Sequence, residues 1–580
     1  MTFSGVSIYT MKNLEIAQIF ERIADILEFK GENRFKINAY RKASRIIGSL
    51  SEDIEHLHKE NRLMEIPGVG SGIAEKISEF LDTGKMSKYE EAMKGIEDGL
   101  IKLMDVPGIG PSTLRTIHKE LGIKDVDGLE KAASEGRLQV LKGMGEKKED
   151  NILRGIRLFK ESQKRISIGT ALPLVKEIIE SLKKKTGIKE IEAAGSLRRM
   201  KETVGDIDIL AGGSNGKEII SAFVTLPIVR EILASGETKG SIIAEGNIQV
   251  DLRVVEKESF GAALQYFTGS KLHNIHLRDM AKRIGLKISE YGIFKGDKKI
   301  GGEKEEDIYS ELGLLWIPPE LREDRGEIEA AKEKRLPNLV SIKDIKGDFH
   351  VHSNWSDGAE PIEEVAEKAR SLGYQYIAIT DHSKSTKIAN GLTEERLSKQ
   401  IKEIRELNKK IKGIKILAGS EVDIKTDGTL DFPEKLLKEL DIVVASIHIG
   451  FKEDEETITN RIISSMRNPY VNIIAHPTGR LISSREPYKL NMKRMFEAAA
   501  ETGTAVEINA YYDRLDLNDV HCQMAKEMGV KMAIGTDAHH ISQLSMMEYG
   551  IGIARRGWLD KKDLINTMNY KELMEWLERG

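Results

Sequence analysis

The sequence predicts a multidomain protein in three parts: an all-α N-terminal region, an α+β middle, and a C-terminal α/β domain with a parallel sheet or barrel. Three observations predict it. The chain has 580 residues, well beyond the roughly 250–300 at which a single core stops growing. Over 12–160 apolar residues recur every three or four positions, broken by short glycine turns and never alternating as strands do. From Ile345 onward short apolar runs alternate with helical segments, the pattern of repeated βα units.

In the middle part, Glu190–Ala194, Asp206–Ala211, Ile242–Ala244 and Asn247–Val255 read as short strands around helical stretches such as Leu174–Lys185. The charged stretch Glu320–Lys334, with Pro318, Pro319 and Pro337 beside it, predicts an exposed linker. Beyond it, Tyr376–Thr380, Ile414–Ala418, Ile442–Ser446, Val471–Ala475, Ala505–Ile508 and Lys531–Ile534 are the expected strands of one sheet or barrel.

Composition removes several classes. With 40% hydrophobic and 31% charged residues the chain can bury cores, and no apolar run approaches the roughly 20 residues that span a bilayer. The N-terminus lacks the pattern of a secretion signal, and the polar stretch before Met11 reads as a leader ahead of an alternative start. A single cysteine, Cys522, excludes a disulfide framework and thiolate zinc modules, so a cytoplasmic protein is expected. Lys+Arg 89 against Asp+Glu 93 leaves a net charge of −4. A nucleic-acid partner would have to be gripped by local devices.

Such devices are present. An apolar-Pro-Gly-apolar-Gly turn occurs at Ile66-Pro67-Gly68-Val69-Gly70 and again at Val106-Pro107-Gly108-Ile109-Gly110, with a weaker copy at Leu141-Lys142-Gly143-Met144-Gly145. The glycines permit a tight turn and point N–H groups at the start of the next helix, where the macrodipole favours an anion. One copy would be explained by packing alone; repetition points to phosphate binding. Nearby, Arg34, Lys36, Arg41, Lys42 and Arg45 surround Tyr40.

The segment Gly195-Ser196-Leu197-Arg198-Arg199 follows a strand-like run and precedes Gly205-Asp206-Ile207-Asp208. Alternate strand residues share a face, so Asp206 and Asp208 point the same way, able to bracket two divalent cations. Asp251, in the alternating run Gln249–Arg253, offers a third carboxylate on a neighbouring strand. Magnesium held by carboxylates and substrate phosphates is the expected chemistry.

These stretches, together with Asn38-Ala39-Tyr40-Arg41-Lys42, Asp251-Leu252-Arg253 and Tyr266-Phe267-Thr268-Gly269-Ser270 followed by Asn274 and Arg278, resemble the family X DNA polymerases of the DNA polymerase beta type over about residues 12–320. The resemblance implies a helical 8-kDa-like DNA-binding domain (12–90), a helical helix-hairpin-helix subdomain (91–164), a nucleotidyltransferase palm (165–260) and a nucleotide-selection subdomain (261–325). It implies two Mg²⁺ on Asp206, Asp208 and Asp251, with dNTP phosphates at Arg165, Gly195, Ser196, Arg199 and Gly205. Tyr266, Phe267 and Gly269 would line the sugar, Asn274 would meet the base edge, and Arg278 would touch the template. DNA contacts fall to Tyr40 and to the turn glycines Gly68, Gly70, Gly108, Gly110, Gly143 and Gly145. Lys76 matches the family's lyase nucleophile, while Gly72 stands where beta-type members carry a second lysine.

Eight of the 13 histidines lie beyond residue 345, nearly all just after an apolar run. They occur as His350-Val351-His352 with Asp357, then His382, His448, His476 and His539, accompanied by Glu421 and Asp537. In a βα barrel the C-terminal strand ends converge on one mouth, so these nine N/O donors could hold two or three borderline ions such as Mn²⁺ or Zn²⁺, with Glu421 as a bridge. The pattern resembles the polymerase and histidinol phosphatase (PHP) domain over about 345–575, set off by a linker at 326–344. Its ligand set is complete here: His350, His352, Asp357, His382, Glu421, His448, His476, Asp537 and His539. Asp381, Asp423, Glu507, Asn509 and His540 are candidates to support those ligands or touch substrate.

Together the resemblances imply a DNA polymerase that fills short gaps in base excision repair. Its PHP domain would be a metal-dependent 3′-5′ exonuclease or 3′-end processor, extending to incision at abasic sites. Its partners would be gapped or nicked duplex DNA and dNTPs, and the protein would be a monomer with no membrane. Two alternatives stand beside this reading: a PHP phosphatase for a small phosphorylated metabolite fused to the polymerase, and a DNA-end-binding scaffold with inert centres.

Overall fold

Helices Tyr9–Lys30 and Arg34–Gly48 pack through Ile16, Phe20, Ile23 and Leu27 against Ile37, Tyr40, Ala43 and Ile47, rows set by helical spacing. The structure, a computed structural model, describes residues 9–48, 54–66, 68–106, 108–162 and 165–578. The polar stretch before Tyr9 and the turn residues Pro67 and Pro107 lie outside the described residues. Everything described up to Ser162 is helix or turn, divided between a first core around Phe20 and Ile77 and a second around Leu103, Leu114 and Ile152. No helix among the described residues is long and apolar enough to cross a membrane.

The middle part is built on a five-stranded sheet in the order Glu190–Ala193, Ile207–Gly212, Ile248–Val255, Lys239–Ala244, Val229–Ser235. Period-two alternation sorts its faces. Ile207, Ile209, Val250 and Leu252 pack under helices Ile168–Thr186 and Gly216–Val224, so Asp208 and Asp251 fall on the opposite face. A separate core follows, formed by helices Phe260–Thr268 and Lys271–Arg283 and a small antiparallel sheet of Leu286–Ser289, Gly292–Lys295 and Lys298–Gly301.

The expectation of an exposed linker does not hold over its first half. Arg322 is wholly buried between Glu305 and the rings of Tyr309 and Trp316. Helix Glu327–Lys332 then contributes Ile328 and Ala331 to the same core. The charge that suggested solvent is spent internally. Glu327 pairs with His273 at 2.6 Å and accepts the backbone N–H groups of Asp324 and Arg325.

The C-terminal part is a seven-stranded parallel barrel in sequence order: Gly347–Asp348, Tyr376–Ile379, Lys415–Asp423, Ile442–Ser446, Ile473–Ile474, Ala505–Asn509 and Met532–Gly535. Its interior packs Tyr376, Ala378, Leu417, Val444, Ala505 and Ala533 against Ile565 and Leu573 from the chain's end. Alternate residues such as Ile377, Ile416 and Val506 face the surrounding helices and join one continuous apolar layer with the core of the middle part. At the seam between first and last strands, Thr536 donates to Asp348 (Oγ1–Oδ2 2.5 Å) and His352 N–H donates to the Ala538 carbonyl (2.8 Å).

Candidate functional site

The three glycine turns share one geometry. Gly68, Gly108 and Gly143 have φ of 87°, 84° and 79°, a region that only glycine enters without strain. In each, the next apolar residue donates back to the first: Val69 to Ile66 (3.0 Å), Ile109 to Val106 (3.2 Å), Met144 to Leu141 (3.0 Å). Gly70, Gly110 and Gly145 then open helices Ser71–Thr83, Pro111–Leu121 and Glu146–Ser162. The copies differ in charge: the first two helices carry no acid in their first turn, whereas the third carries Glu146 and Glu149. Tyr40 is not on the surface. Only 8% exposed, it stacks on Phe20 at 5.8 Å, because its helix turns that row inward. Lys76 donates from Nζ to the Gly72 carbonyl at 2.6 Å.

On the open face of the five-stranded sheet, Asp208 and Asp251 are register partners on adjacent parallel strands. Asp206 is exposed, one residue before the strand begins at Ile207. Burial, with the negative charges of Asp206 and Asp251, pushes the Asp208 carboxyl up to about 6. Ser241 Oγ donates to Asp251, and Lys239 Nζ lies 3.9 Å from it. The three carboxylates do not converge as tightly as the donors of the barrel clusters, whose donor atoms lie within 4.8 Å of one another. The donor set suits two hard cations that draw part of their shell from phosphate.

Gly195 touches this centre directly. It has φ +61°, and a Cβ built there would meet Asp208 Oδ2 at 2.5 Å; Ala194 N–H donates to the Asp208 carbonyl at 2.8 Å. Ser196 is half-buried in the short helix Gly195–Arg198, and Gly205 is exposed beside Asp206. Arg165 donates from Nε to Thr203 Oγ1 at 2.8 Å, and Arg199 to Glu323 at 3.0 Å and to the Thr268 carbonyl. Phe267 lines the cleft with Asp208, Lys239, Asp251 and Arg253, and Arg253 lies 4.8 Å over its ring. Tyr266 packs edge-on against Phe267 and its carbonyl accepts from Asn274 Nδ2 at 2.7 Å. Gly269 is buried at φ +71°, and Arg278 is exposed with Nε on the Asn274 carbonyl at 3.2 Å.

The barrel brings all nine predicted donors to one mouth. They form three overlapping groups: His352, Asp357, His382 and His539; His350, His352 and Asp537; His382, Glu421 and His448. His476 Nε2 joins at 2.9 Å from Glu421 Oε1. Glu421 stands at the centre, with His382 Nδ1 at 2.8 Å, His448 Nε2 at 3.3 Å and His350 Nε2 at 3.5 Å. The donors fit metal ions: His350 Nε2, His352 Nε2, His382 Nδ1 and Glu421 Oε2 are buried without a hydrogen-bond partner, an arrangement too costly to persist unless something electrophilic is bound.

Neighbouring residues fix which nitrogen faces inward. Glu507 accepts from His350 Nδ1 at 2.6 Å and from the His476 N–H at 2.6 Å. Asp423 holds His448 Nδ1 at 2.7 Å, and the Asp537 carbonyl holds His539 Nδ1 at 2.8 Å. Asn509 Nδ2 donates to Asp537 at 3.1 Å. Asp381 instead ties Ser353, Ser356 and Gln400 together, and His540 lies 3.1 Å from Glu360. Burial and the neighbouring imidazoles of His539 and His382 hold His352 down to about 3, so it is a neutral ligand. His476 and Asp537 sit at φ 27° and 53°, strain of about 1–3 kcal/mol each that the surrounding barrel sustains.

Sequence reasoning did not single out Lys239 or Ser241, which reach Asp251 from the antiparallel neighbour and carry no local signal. It also passed over the buried pair of Arg198 with Glu305 (2.6 and 2.9 Å), completed by Arg322 at 2.6 Å, which ties the Gly195–Arg198 helix to the domain that follows.

Comparison with known proteins agrees with this geometry part by part. Residues 11–86 match the helix-hairpin-helix domain, 100–158 the SAM-like helix-hairpin-helix tandem, 263–323 the DNA polymerase beta thumb and 348–511 the PHP domain. A "Probable phosphatase" of Thermoanaerobacter sp. (strain X514) is 34% identical over 231 residues, 38% of this chain and 89% of its own. DNA polymerase lambda of Arabidopsis thaliana is 24% identical over 347 residues, 53% of this chain and 62% of its own. The DNA polymerase/3′-5′ exonuclease PolX of Bacillus subtilis (strain 168) is 41% identical over 576 residues, 98% of this chain and 100% of that protein. With the helical turns, the aspartate centre and the imidazole cluster all inside that one alignment, the chain belongs to the PolX family of DNA polymerase/3′-5′ exonucleases.

Proposed function

We propose that this protein is a DNA polymerase that fills short gaps during base excision repair and trims DNA 3′ ends at a second, separate centre. It acts on gapped or nicked duplex DNA with dNTPs, as a cytoplasmic monomer. The observation that carries the reading is the coexistence of two phosphoryl-transfer donor sets: Asp206, Asp208 and Asp251 on the open sheet face, and nine imidazole and carboxylate donors at the barrel mouth.

At the first centre Asp206, Asp208 and Asp251 would hold two Mg²⁺, whose chemistry would be to activate the primer 3′-hydroxyl and neutralise the triphosphate. Gly195 leaves room for the Asp208 carboxylate, and Arg199 changes partner from Glu323 to phosphate. Phe267 and Tyr266 wall the sugar, and Asn274 trades its internal bond for the base edge. The helical turns hold the duplex by backbone N–H groups and the helix dipole. At the second centre the nine imidazole and carboxylate donors would hold two or three Mn²⁺ or Zn²⁺, which would supply activation of water and Lewis-acid stabilisation of the phosphate. There Glu507 and Asp423 orient His350 and His448, each by a hydrogen bond at Nδ1 that leaves Nε2 for metal. Lys76 is proposed as a lyase nucleophile; borohydride trapping on an incised abasic site, lost in Lys76→Ala, is its test, and an unchanged adduct would dismiss it.

A time course on a one-nucleotide gapped duplex tests the whole reading. With Mg²⁺ or Mn²⁺ and dNTPs the primer gains one nucleotide; without dNTPs it shortens from its 3′ end. Neither product would contradict the proposal. The likeness of the barrel to phosphatases favours one second reading, hydrolysis of a small phosphomonoester. Turnover on a recessed 3′ DNA end against turnover on histidinol phosphate separates the two, since the helical turns assist only the former.

A further inference from the structure

The nucleotide end of the palm is built partly from the barrel domain. Helix Met547–Arg556, which follows the last barrel strand, packs on the turn 199–201: Met200 fills the space beside Gly552, where a built Cβ would meet Met200 Cε at 2.6 Å. The helix ends at Arg556, whose side chain is 2% exposed. Its Nη1 donates to the Arg199 carbonyl at 2.7 Å and to Glu323 Oε1 at 3.0 Å. Its Nη2 donates at 2.6 Å to Asp519, at the head of the barrel helix Asp519–Glu527. None of these partners is a donor of the barrel cluster.

Glu323 is thereby shared. The same oxygen, Oε1, accepts from Arg199 Nε at 3.0 Å, with Lys201 Nζ 3.8 Å away. Burial acts to raise the Glu323 carboxyl, but the charges of Arg199, Arg556 and Lys201 outweigh it and hold the group below its ordinary range. Arg199 also donates from Nη1 to the Thr268 carbonyl, and a Cβ built on Gly269 would lie 3.2 Å from that nitrogen. Leaving a buried carboxylate unpaired is strongly unfavourable. If Arg199 is to leave for a triphosphate, a second cation has to stay on Glu323, and Asp519 fixes Arg556 in place to do so.

We propose that Arg556, a residue of the barrel domain, is a positioning residue for DNA synthesis: it keeps Glu323 neutralised when Arg199 turns from that carboxylate to the phosphates of an incoming dNTP. The inference rests on the reading of Arg199 as a triphosphate contact given above. Glu323 then opposes nucleotide binding by holding Arg199, and Arg556 sets how strongly it does so.

Single-turnover incorporation on a one-nucleotide gapped duplex, with the full chain and Mg²⁺, measures the apparent Kd for dNTP apart from the rate of the bond-forming step. Arg556→Gln should weaken dNTP binding by about fivefold to fiftyfold, because Glu323 then keeps Arg199 as its one hydrogen-bonded guanidinium. Arg556→Lys should recover part of the loss. Glu323→Gln should act in the opposite direction and tighten dNTP binding by about twofold to tenfold. The double variant, Arg556→Gln with Glu323→Gln, should bind dNTP at least as tightly as the wild type, since no carboxylate remains to hold Arg199. Wild-type affinity in Arg556→Gln would overturn the proposal. So would a double variant as weak as Arg556→Gln, which would make Arg556 a brace between the domains and nothing more. Arg199→Ala separates this proposal from the reading beneath it. Weakened dNTP binding there, with Arg556→Gln unaltered, overturns the shared-carboxylate proposal alone; unaltered binding in Arg199→Ala removes the triphosphate contact and the proposal with it.

Discussion

Asp208 and Asp251 face each other in register across two parallel strands, and each is the first polar residue after an isoleucine or valine that packs beneath the sheet. That register forces two carboxylates together in a half-buried setting, and a third at Asp206 adds to the repulsion. Cation binding is the relief the arrangement requires.

Asp208 should therefore destabilise the metal-free protein. Its folded pKa, about 6, lies above the ordinary 3.8. The folded state binds the extra proton, so the penalty is complete above pH 6, shrinks as pH falls between 6 and 4, and vanishes below. Asp208→Asn should stabilise the metal-free palm at pH 7–8 by about 1–3 kcal/mol, with no gain near pH 4. Excess Mg²⁺ should erase the advantage by stabilising only the wild type. Thermal melts at the two pH values, with and without Mg²⁺, check this.

Gly195→Ala places a methyl group against Asp208 at a left-handed backbone position. Strain of about 1–3 kcal/mol at such a site corresponds to about a tenfold to hundredfold loss in kcat/KM for dNTP incorporation. The same protein should trim 3′ ends at the wild-type rate, because the atom a Cβ there would meet belongs to Asp208 and not to a donor of the barrel cluster.

Glu507 holds the outer nitrogen of His350 and the backbone of His476. Its replacement by glutamine keeps shape and removes charge, and should weaken metal binding at the barrel by about tenfold to a hundredfold. Competition against a chelating dye measures this directly; unchanged affinity would show that Glu507 does not support the cluster.

The third glycine turn has the geometry of the other two but carries an acid at the head of its helix. Glu149 is spent on Leu138 N–H and Gln139, whereas Glu146 is exposed. Glu146→Gln should strengthen binding to duplex DNA about twofold to fivefold at low salt, the worth of removing one charge from a helix N-terminus. An unchanged Kd would mean that this turn does not face DNA.

Much of this was legible in the sequence because the chemistry repeats or sits at a fixed register. Histidines placed just after apolar runs converge once the runs become parallel strands, and Asp208 is set by alternation with Ile207 and Ile209. What escaped lies where contacts are non-local or charges are paired. Edge strand Val229–Ser235 is mostly exposed and lacks the apolar face that marks a strand. The stretch around Arg322 and Glu327 looks solvated because its charges are numerous, yet each is matched inside the fold. Tyr40 lies within a basic run but on the helix face turned to Phe20, a distinction of one helical position.

Two independent centres on one chain should be separable by mutation. Asp206→Ala with Asp208→Ala should abolish dNTP incorporation on a gapped duplex while leaving Mn²⁺-dependent 3′ shortening intact; His350→Ala with His352→Ala should do the reverse. Loss of both activities in either double variant, with its fold intact by circular dichroism, would contradict it.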